Sequence, residues 1–233
     1  MMERVLINSL NIGVFGDSIG KGIVLEKISQ RYQVMKFDLN ELLGEKNLNL
    51  HNFSMMGCTI LKGLSIVNRH IRKLSSYRNI FLEFGGNDCD FAWNHISENP
   101  DDEHIPKTPI VEFIKLYTQV IDEIRNNGGR PIMLSLPPLD PDRYYNWISN
   151  KLNKTNILKW LGSVDTLYRW HEMYNLQSVI LAAKLSVPLI DIRSKFLMNH
   201  NYKELLCEDG IHPNKAGYEL IYKTIAEQYE IGM

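Results

Sequence analysis

Two short segments near opposite ends of the sequence contain residues typical of nucleophilic catalysis. Gly16-Asp17-Ser18-Ile19-Gly20 matches G-x-S-x-G, a pattern in which a tight turn between strand and helix exposes a serine hydroxyl. Asp209-Gly210-Ile211-His212-Pro213 places an acid three residues before a histidine. Acyl transfer needs a base that takes the serine proton and an acid that orients this base. Either segment alone is most simply an ordinary turn, but together they indicate a triad of Ser18, His212 and Asp209.

Two further segments contain groups that can stabilise an oxyanion. Gly85-Gly86-Asn87-Asp88 follows an apolar run, and the Asn87 side-chain amide can donate a hydrogen bond without carrying a charge. The segment 52–57 also ends an apolar run, and Gly57 can offer an unshielded backbone N–H. With the N–H of Ser18, these groups predict an oxyanion hole formed by Ser18, Gly57 and Asn87. A simple turn is the alternative for each segment.

The elements that must position these residues alternate between apolar runs and longer amphipathic stretches. This alternation is typical of a parallel sheet covered by helices. The predicted strands are 11–15, 48–53, 79–84, 131–136 and 188–192. The predicted helices are 18–27, 61–74, 108–127, 168–185 and 215–229. In the helix 108–127 we expect Thr108 to be the N-cap and Pro109 to occupy the first helical position.

Two polar segments, 90–107 and 139–162, do not fit this alternation. Both follow the carboxyl ends of predicted strands, where open α/β sheets bind their ligands. The second is rich in aromatic residues, and we expect Tyr144, Tyr145 and Trp147 to help form the wall of a substrate pocket. An ordinary surface insertion is the alternative for both segments.

Composition limits the classes of function that remain. The chain has 233 residues, the size of one α/β domain, and its formal net charge of -1 favours neither nucleic acid nor an anionic membrane as a partner. No apolar stretch approaches the ~18 residues of a membrane span, and the N-terminus does not read as a secretory signal. The three cysteines form no CxxC pair, so we expect a cytoplasmic protein. The His and acidic residues of segment 95–104 match no metal-ligand pattern, and the chemistry requires no metal or other cofactor.

In their order and spacing, the four segments resemble those of the SGNH, or GDSL, hydrolase family, and this resemblance covers nearly the whole chain. It implies an α/β fold: a three-layer α/β/α sandwich with a five-stranded parallel sheet in the flavodoxin-like order 2-1-3-4-5. We expect a single domain over 1–233, with loop insertions near 90–107 and 139–162. The resemblance implies that Ser18 is the nucleophile, His212 the base and Asp209 its orienting acid, with Gly57 and Asn87 as further oxyanion donors.

The resulting prediction is a serine esterase that hydrolyses carboxylic esters through an acyl-enzyme intermediate. Its small-molecule substrate is an acetylated sugar, or the ester of a short-chain esterase or lipase. An acyltransferase on the same fold is one alternative, and a non-catalytic carbohydrate-binding protein is another. An α/β-hydrolase is disfavoured because its nucleophile follows several strands, not the first, and its acid and histidine are not normally three residues apart. A chymotrypsin-like protease is disfavoured because its histidine and aspartate precede its serine.

Overall fold

A computed structural model describes residues 10–35 and 48–231 of the chain. The strands are β1 Leu10–Gly16, β2 Ile23–Leu25, β3 Tyr32–Val34, β4 Leu48–Asn52, β5 Asn79–Glu83, β6 Pro131–Leu134 and β7 Leu189–Ile190. The helices are α1 Ser18–Lys21, α2 Ile60–Arg69, α3 Trp93–Glu98, α4 Ile110–Asn126, α5 Pro141–Ile148, α6 Lys154–Leu161, α7 Asp165–Lys184, α8 Ile192–Leu197 and α9 Lys215–Ile231. Two 3₁₀ turns, Ile71–Ser76 and Tyr202–Leu205, complete the described elements.

Five of these strands form one parallel sheet in the order β4-β1-β5-β6-β7. Counting only these five strands along the chain, this is the predicted order 2-1-3-4-5. From β1 the chain adds β4 on one side of the sheet and then β5, β6 and β7 on the other, so the strand order reverses between β1 and β5. Ligands of open α/β sheets bind beside such a reversal, at the carboxyl ends of the strands.

Helices cover both faces of the sheet because successive strand residues point to opposite sides. On one face Phe15 and Leu82 pack among buried side chains of α2, α4 and α7. On the other face Ile12 and Phe81 pack against α8, α9 and the β2-β3 hairpin. The apolar runs of the sequence therefore serve two separate cores, which confirms the α/β/α arrangement.

The first predicted helix, 18–27, is wrong beyond its first turn. The helix α1 ends at Lys21, because Gly22 adopts a left-handed conformation with φ of 81°. The chain then forms β2, which pairs with β3 as an antiparallel hairpin. This hairpin was not predicted, and it carries a residue of the candidate site described below.

The other predicted elements are present with shifted ends. The helix predicted over 108–127 begins at Ile110, and its N-cap is Pro109. Thr108 does not cap it, because its hydroxyl donates instead to the buried Asp88 carboxylate at 2.6 Å. The helix predicted over 61–74 ends at Arg69 and continues as a 3₁₀ turn. The predicted strands 131–136 and 188–192 are shorter in the structure.

The two polar segments contain helices that pack on each other. Segment 90–107 contains α3, and segment 139–162 contains α5 and α6. Ser97 in α3 accepts the Asn153 N–H at 2.8 Å through its hydroxyl and the Asn156 amide through its carbonyl. The two segments therefore form one structural layer above the carboxyl edge of the sheet.

None of the helices within 10–35 and 48–231 combines the length and apolar character that a membrane crossing requires. The N-terminal residues considered above for a secretory signal lie outside the described residues.

Candidate active site

Ser18, His212 and Asp209 form a continuous chain of hydrogen bonds. The Ser18 Oγ lies 2.9 Å from the His212 Nε2, and the His212 Nδ1 lies 2.6 Å from the Asp209 Oδ2. All three side chains are buried or nearly so. The fold thus brings together residues separated by 194 positions in the sequence, in the geometry of a nucleophile, a base and an orienting acid.

The turn that carries Asp209 and His212 is fixed by its own backbone. The Asp209 Oδ1 accepts the N–H groups of Ile211 and His212, each at 3.1 Å. Gly210 adopts a φ of 77°, and a side chain there would approach the Asp140 carbonyl oxygen to 2.7 Å. Gly210 is therefore required both by its backbone conformation and by this close contact with the start of α5.

The same turn determines the charge of Asp209. Burial opposes ionisation of this carboxyl, but the hydrogen bond and charge of His212, with the two backbone N–H groups, hold its pKa below the ordinary value. Asp209 is therefore a carboxylate at neutral pH. An ionised acid on the Nδ1 side leaves the Nε2 side of the imidazole to face Ser18.

Tyr32 is a site residue that the sequence analysis missed. It belongs to β3, and its ring centroid lies 5.0 Å from that of His212 at an interplanar angle of 59°. Burial, followed by the charge of Asp209, raises the pKa of its hydroxyl. Trp147 packs edge-on against Tyr32, with ring centroids 6.0 Å apart. In the sequence, only the aromatic character of Tyr32 could have indicated a role, because the hairpin that positions it was not predicted.

The three predicted oxyanion donors border one cavity. Ser18 follows β1, Gly57 follows β4 and Asn87 follows β5, on three adjacent strands, and all three residues line the cavity. Nothing lies within 4 Å of the position that a Gly57 side chain would occupy, so its backbone is unshielded. The Asn87 Nδ2 donates one hydrogen bond to the Asp17 Oδ2 at 2.9 Å.

The cavity has a volume of about 520 Å³, within the range of pockets that bind small molecules. Part of its lining is aromatic, and we call these residues the aromatic wall: Phe91, Trp93, Tyr144, Trp160 and Trp170. The Phe91 ring contacts those of Trp93, Trp160 and Trp170 at centroid distances of 4.9–5.7 Å. Other apolar lining residues include Met56, Ile105, Leu139, Leu161, Leu167 and Ile211.

Two polar groups of this wall are bound to a neighbouring carboxylate. The Asp90 carboxylate accepts the Tyr144 hydroxyl and the Trp93 Nε1–H, each at 2.7 Å, and forms an ion pair with Lys107 at 2.7 Å. Burial and the nearby Arg193 charge lower the pKa of His171 to about 3, so this lining residue is neutral. The wall therefore presents apolar surface to a ligand, while its charged groups are engaged within the protein.

Of the three aromatic residues predicted to line a pocket, only Tyr144 does so. The Tyr145 hydroxyl donates to the Lys154 carbonyl, and Trp147 contacts Tyr32 from outside the cavity. Neighbouring residues of α5 point in different directions around the helix, so one helix cannot present all three to one ligand. Phe91, Trp93 and Trp160 were not singled out, although they lie in the two segments predicted to border the site.

Within the described residues, no group of three or more His, Cys, Asp or Glu side chains is arranged to hold a metal ion. The three cysteines are free and buried. Cys89 lines the cavity, and burial raises the pKa of its thiol well above the ordinary value.

Solved structures of other proteins share this fold over nearly their whole length. A lipase/acylhydrolase from Enterococcus faecalis is 20% identical with a TM-score of 0.62, over 95% of this chain and 96% of that one. A lipolytic protein of the G-D-S-L family from Veillonella parvula is 19% identical with a TM-score of 0.63, over 94% and 98%. LAE5, an alpha/beta hydrolase enzyme from the metagenome of Lake Arreo, is 20% identical with a TM-score of 0.63, over 95% and 94%.

None of the curated proteins matches the sequence. The sequence pattern of the GDSL-like lipase/acylhydrolase family, in contrast, matches residues 14–220. The chain therefore belongs to this family, whose members are hydrolases that act on esters.

Proposed function

We propose that this protein is a serine esterase in which Ser18 attacks the ester carbonyl, His212 acts as general base and Asp209 orients His212. The observation that supports this proposal is the hydrogen-bonded chain from the Ser18 Oγ to the Asp209 Oδ2, with links of 2.9 and 2.6 Å. A serine hydroxyl is a weak nucleophile until an adjacent base takes its proton. An ionised Asp209 stabilises the imidazolium that results from this proton transfer.

The reaction proceeds in two steps. In the first, His212 accepts the Ser18 proton as the ester carbonyl is attacked, and then gives this proton to the departing alkoxide. In the second, His212 activates a water molecule that releases the acid from the acyl-enzyme. In both steps the N–H groups of Ser18 and Gly57 and the amide of Asn87 stabilise the oxyanion.

For the substrate, we propose an ester that carries a large apolar group. The cavity beside Ser18 is lined by the aromatic wall and aliphatic side chains, and the Trp93 N–H and the Tyr144 hydroxyl of the wall both donate to Asp90. Sugar hydroxyl groups need hydrogen-bonding partners when they lose water, and this wall offers few. The geometry therefore supports apolar esters over acetylated sugars. The apolar group is either the acyl chain or the alcohol.

The first prediction tests the nucleophile. Ser18→Ala removes the attacking oxygen, so ester hydrolysis should fall by about a thousandfold or more, while the melting temperature stays close to that of the unchanged protein. Turnover of nitrophenyl esters measures the loss, and covalent labelling of the serine by a phosphonate provides an independent readout. A variant that retains a large share of the turnover would exclude Ser18 as the nucleophile. Absence of labelling in the unchanged protein would favour a non-catalytic carbohydrate-binding role.

The substrate class is tested with two series of esters. One series lengthens the acyl chain on a constant nitrophenol, and the other lengthens the alcohol of an acetate. Each methylene buried in the cavity should raise kcat/KM by up to about fourfold, in one series or the other. Flat responses in both series, with higher activity on acetylated sugars, would contradict an apolar pocket. Formation of new esters when alcohols are added would identify the acyltransferase.

A further inference from the structure

Two buried carboxyl groups lie directly behind the candidate site. Asp17 precedes Ser18, and Glu83 is the last residue of the neighbouring strand β5. They are 2% and 1% exposed, respectively, and their carboxyl groups are hydrogen-bonding neighbours. Neither residue is required by the triad. Burying two acidic groups in contact is unfavourable unless a proton and other donors compensate for it.

The hydrogen bonds around the two carboxyl groups indicate which of them holds a proton. The Glu83 Oε2 faces the Gly20 N–H at 3.3 Å, but among the described residues no N–H or O–H group donates to the Oε1. The Asp17 Oδ1 accepts the Ile19 N–H at 2.8 Å, and its Oδ2 accepts the Asn87 amide at 2.9 Å. Burial raises the pKa of both carboxyl groups, but the hydrogen bonds from Glu83, Ile19 and Asn87 oppose the rise at Asp17, whereas the charge of Asp17 adds to the rise at Glu83. Glu83 is therefore the protonated member, and Asp17 carries the charge.

The bond from Asn87 to Asp17 determines which end of the amide faces the site. An asparagine amide has an oxygen that only accepts and an NH₂ group with two hydrogens. A carboxylate at Asp17 attracts the NH₂ group and repels the oxygen. One amide hydrogen is then used by Asp17, and the second remains for a developing oxyanion.

We propose that Asp17 and Glu83 are a positioning pair that holds the Asn87 amide in its donor orientation. Asp17 accepts from Asn87, and Glu83 donates its proton to Asp17. This inference rests on the proposed function, because it assigns the pair a role in stabilising the oxyanion. Neither carboxyl group touches the substrate, so their effect on the reaction passes through Asn87.

A purely structural role for Asp17 is the competing explanation. Asp17 is the N-cap of α1, and loss of a cap lowers stability without a specific effect on the transition state. The variant Asp17→Ser separates the two roles. A serine hydroxyl can still cap the helix, but it is too short to accept from Asn87. We expect kcat to fall by about 10- to 100-fold with little change in KM, because the oxyanion exists only in the transition state.

A double-mutant cycle with Asn87→Ala tests the coupling. Asn87→Ala alone should lower kcat by about 10²–10³. Once Asn87 is absent, Asp17→Ser should cost no more than about a further threefold, because Asp17 then has nothing to position. Independent effects that multiply in the double variant would overturn the proposal. Should Asp17→Ser fail to fold, Asp17→Asn replaces it. The single amide oxygen of this variant can take the place of the Oδ1 that accepts from Ile19 or of the Oδ2 that accepts from Asn87, but not of both.

Asp191→Asn is the matched control for the cap. Asp191 also follows a strand of the sheet and caps a helix, since its Oδ1 accepts the Ser194 N–H at 3.0 Å. Asn and Asp are similar N-caps. This variant should therefore keep kcat and KM within about twofold, and its effect should multiply with that of Asn87→Ala. Coupling as strong as that of Asp17 would show that the cycle reports a general change in the fold and would overturn the proposal.

The proton on Glu83 is tested by a pair of variants. Glu83→Gln keeps a donor toward Asp17 and an acceptor toward Gly20, so kcat should remain within about threefold. Glu83→Leu has a similar size but no donor, so kcat should fall about tenfold at unchanged KM. Equal kcat in both variants would overturn the role of Glu83.

Activity lost in Ser18→Ala reports on the proposed function, and coupling between positions 17 and 87 reports on the positioning pair. The two proposals can therefore fail separately.

Discussion

At the scale of single residues, the site depends on the orientation of one imidazole. Asp209 holds the His212 Nδ1 at 2.6 Å, and the ring of Tyr32 packs against the same imidazole. A histidine base must be neutral to accept a proton, and an ionised Asp209 keeps its Nε2 toward Ser18. The pKa of Asp209 is below its ordinary value, so this carboxyl remains ionised over the pH range in which a histidine titrates.

The second prediction therefore concerns the base and its acid. kcat/KM should rise with pH, since only a neutral imidazole can accept the Ser18 proton. His212→Ala should be more damaging than Asp209→Asn, because the latter retains a base and loses only its orientation and charge. The measurement is the pH profile of kcat/KM for the unchanged protein and both variants on one nitrophenyl ester. The reverse ranking of the two variants would mean that the roles are assigned wrongly.

At the scale of elements, α3 and α6 contribute Trp93 and Trp160 to the aromatic wall of the cavity. Trp160 of α6 contacts Phe91 and Trp93 with ring centroids 4.9 and 6.3 Å away. An ion pair between Lys159 and Asp101 also joins the two segments, but both of its side chains are exposed, so it adds little stability. Apolar packing, together with the hydrogen bonds to Asp90 and Ser97, therefore holds this wall in place and determines the shape of the cavity there.

The third prediction compares two tryptophans. Trp160→Ala should lower kcat/KM for long apolar esters by about tenfold or more, with a smaller effect on acetates, because only a long group reaches the removed surface. Trp147→Ala is the matched control: the same side chain is removed, but it contacts Tyr32 and not the cavity. Its effect should be similar on every ester. A change in chain-length preference in the control, or none in Trp160→Ala, would contradict this assignment of the wall.

The secondary-structure elements also show which parts of the fold could be predicted from the sequence and which could not. The strand β5 and the helix α4 were predictable because their apolar spacing is regular and local. The hairpin β2-β3 was not predictable, because the apolar residues within 19–25 are also compatible with a helix, and the sequence pattern alone does not show that Gly22 ends α1. Tyr32 was missed with this hairpin. The cluster of Phe91 and Trp160 depends on contacts between distant segments, which no local period records.

At the scale of the whole molecule, Asp88 joins parts of the fold that are far apart in the sequence. Its carboxylate accepts the Ile60 N–H at the start of α2 at 3.0 Å and the Thr108 hydroxyl before α4 at 2.6 Å. It thereby connects the layer on one face of the sheet to the loop that carries Asn87. Burial raises the pKa of Asp88 to about 6, although these hydrogen bonds favour its charged form.

The last prediction follows from this raised pKa. The folded protein binds a proton at Asp88 between about pH 4 and 6, whereas the unfolded chain has released it there, so the contribution of Asp88 to the free energy of unfolding falls as pH rises through this window. The fall is on the order of 1–3 kcal/mol. Asp88→Asn cannot titrate at this position. Urea unfolding at pH 4 and 6.5 should therefore show that the free energy of unfolding falls less between these two pH values in this variant than in the unchanged protein. The exposed Asp122, changed to Asn, is the control and should behave like the unchanged protein. Parallel behaviour of Asp88→Asn and the unchanged protein would mean that Asp88 titrates as it does in the unfolded chain.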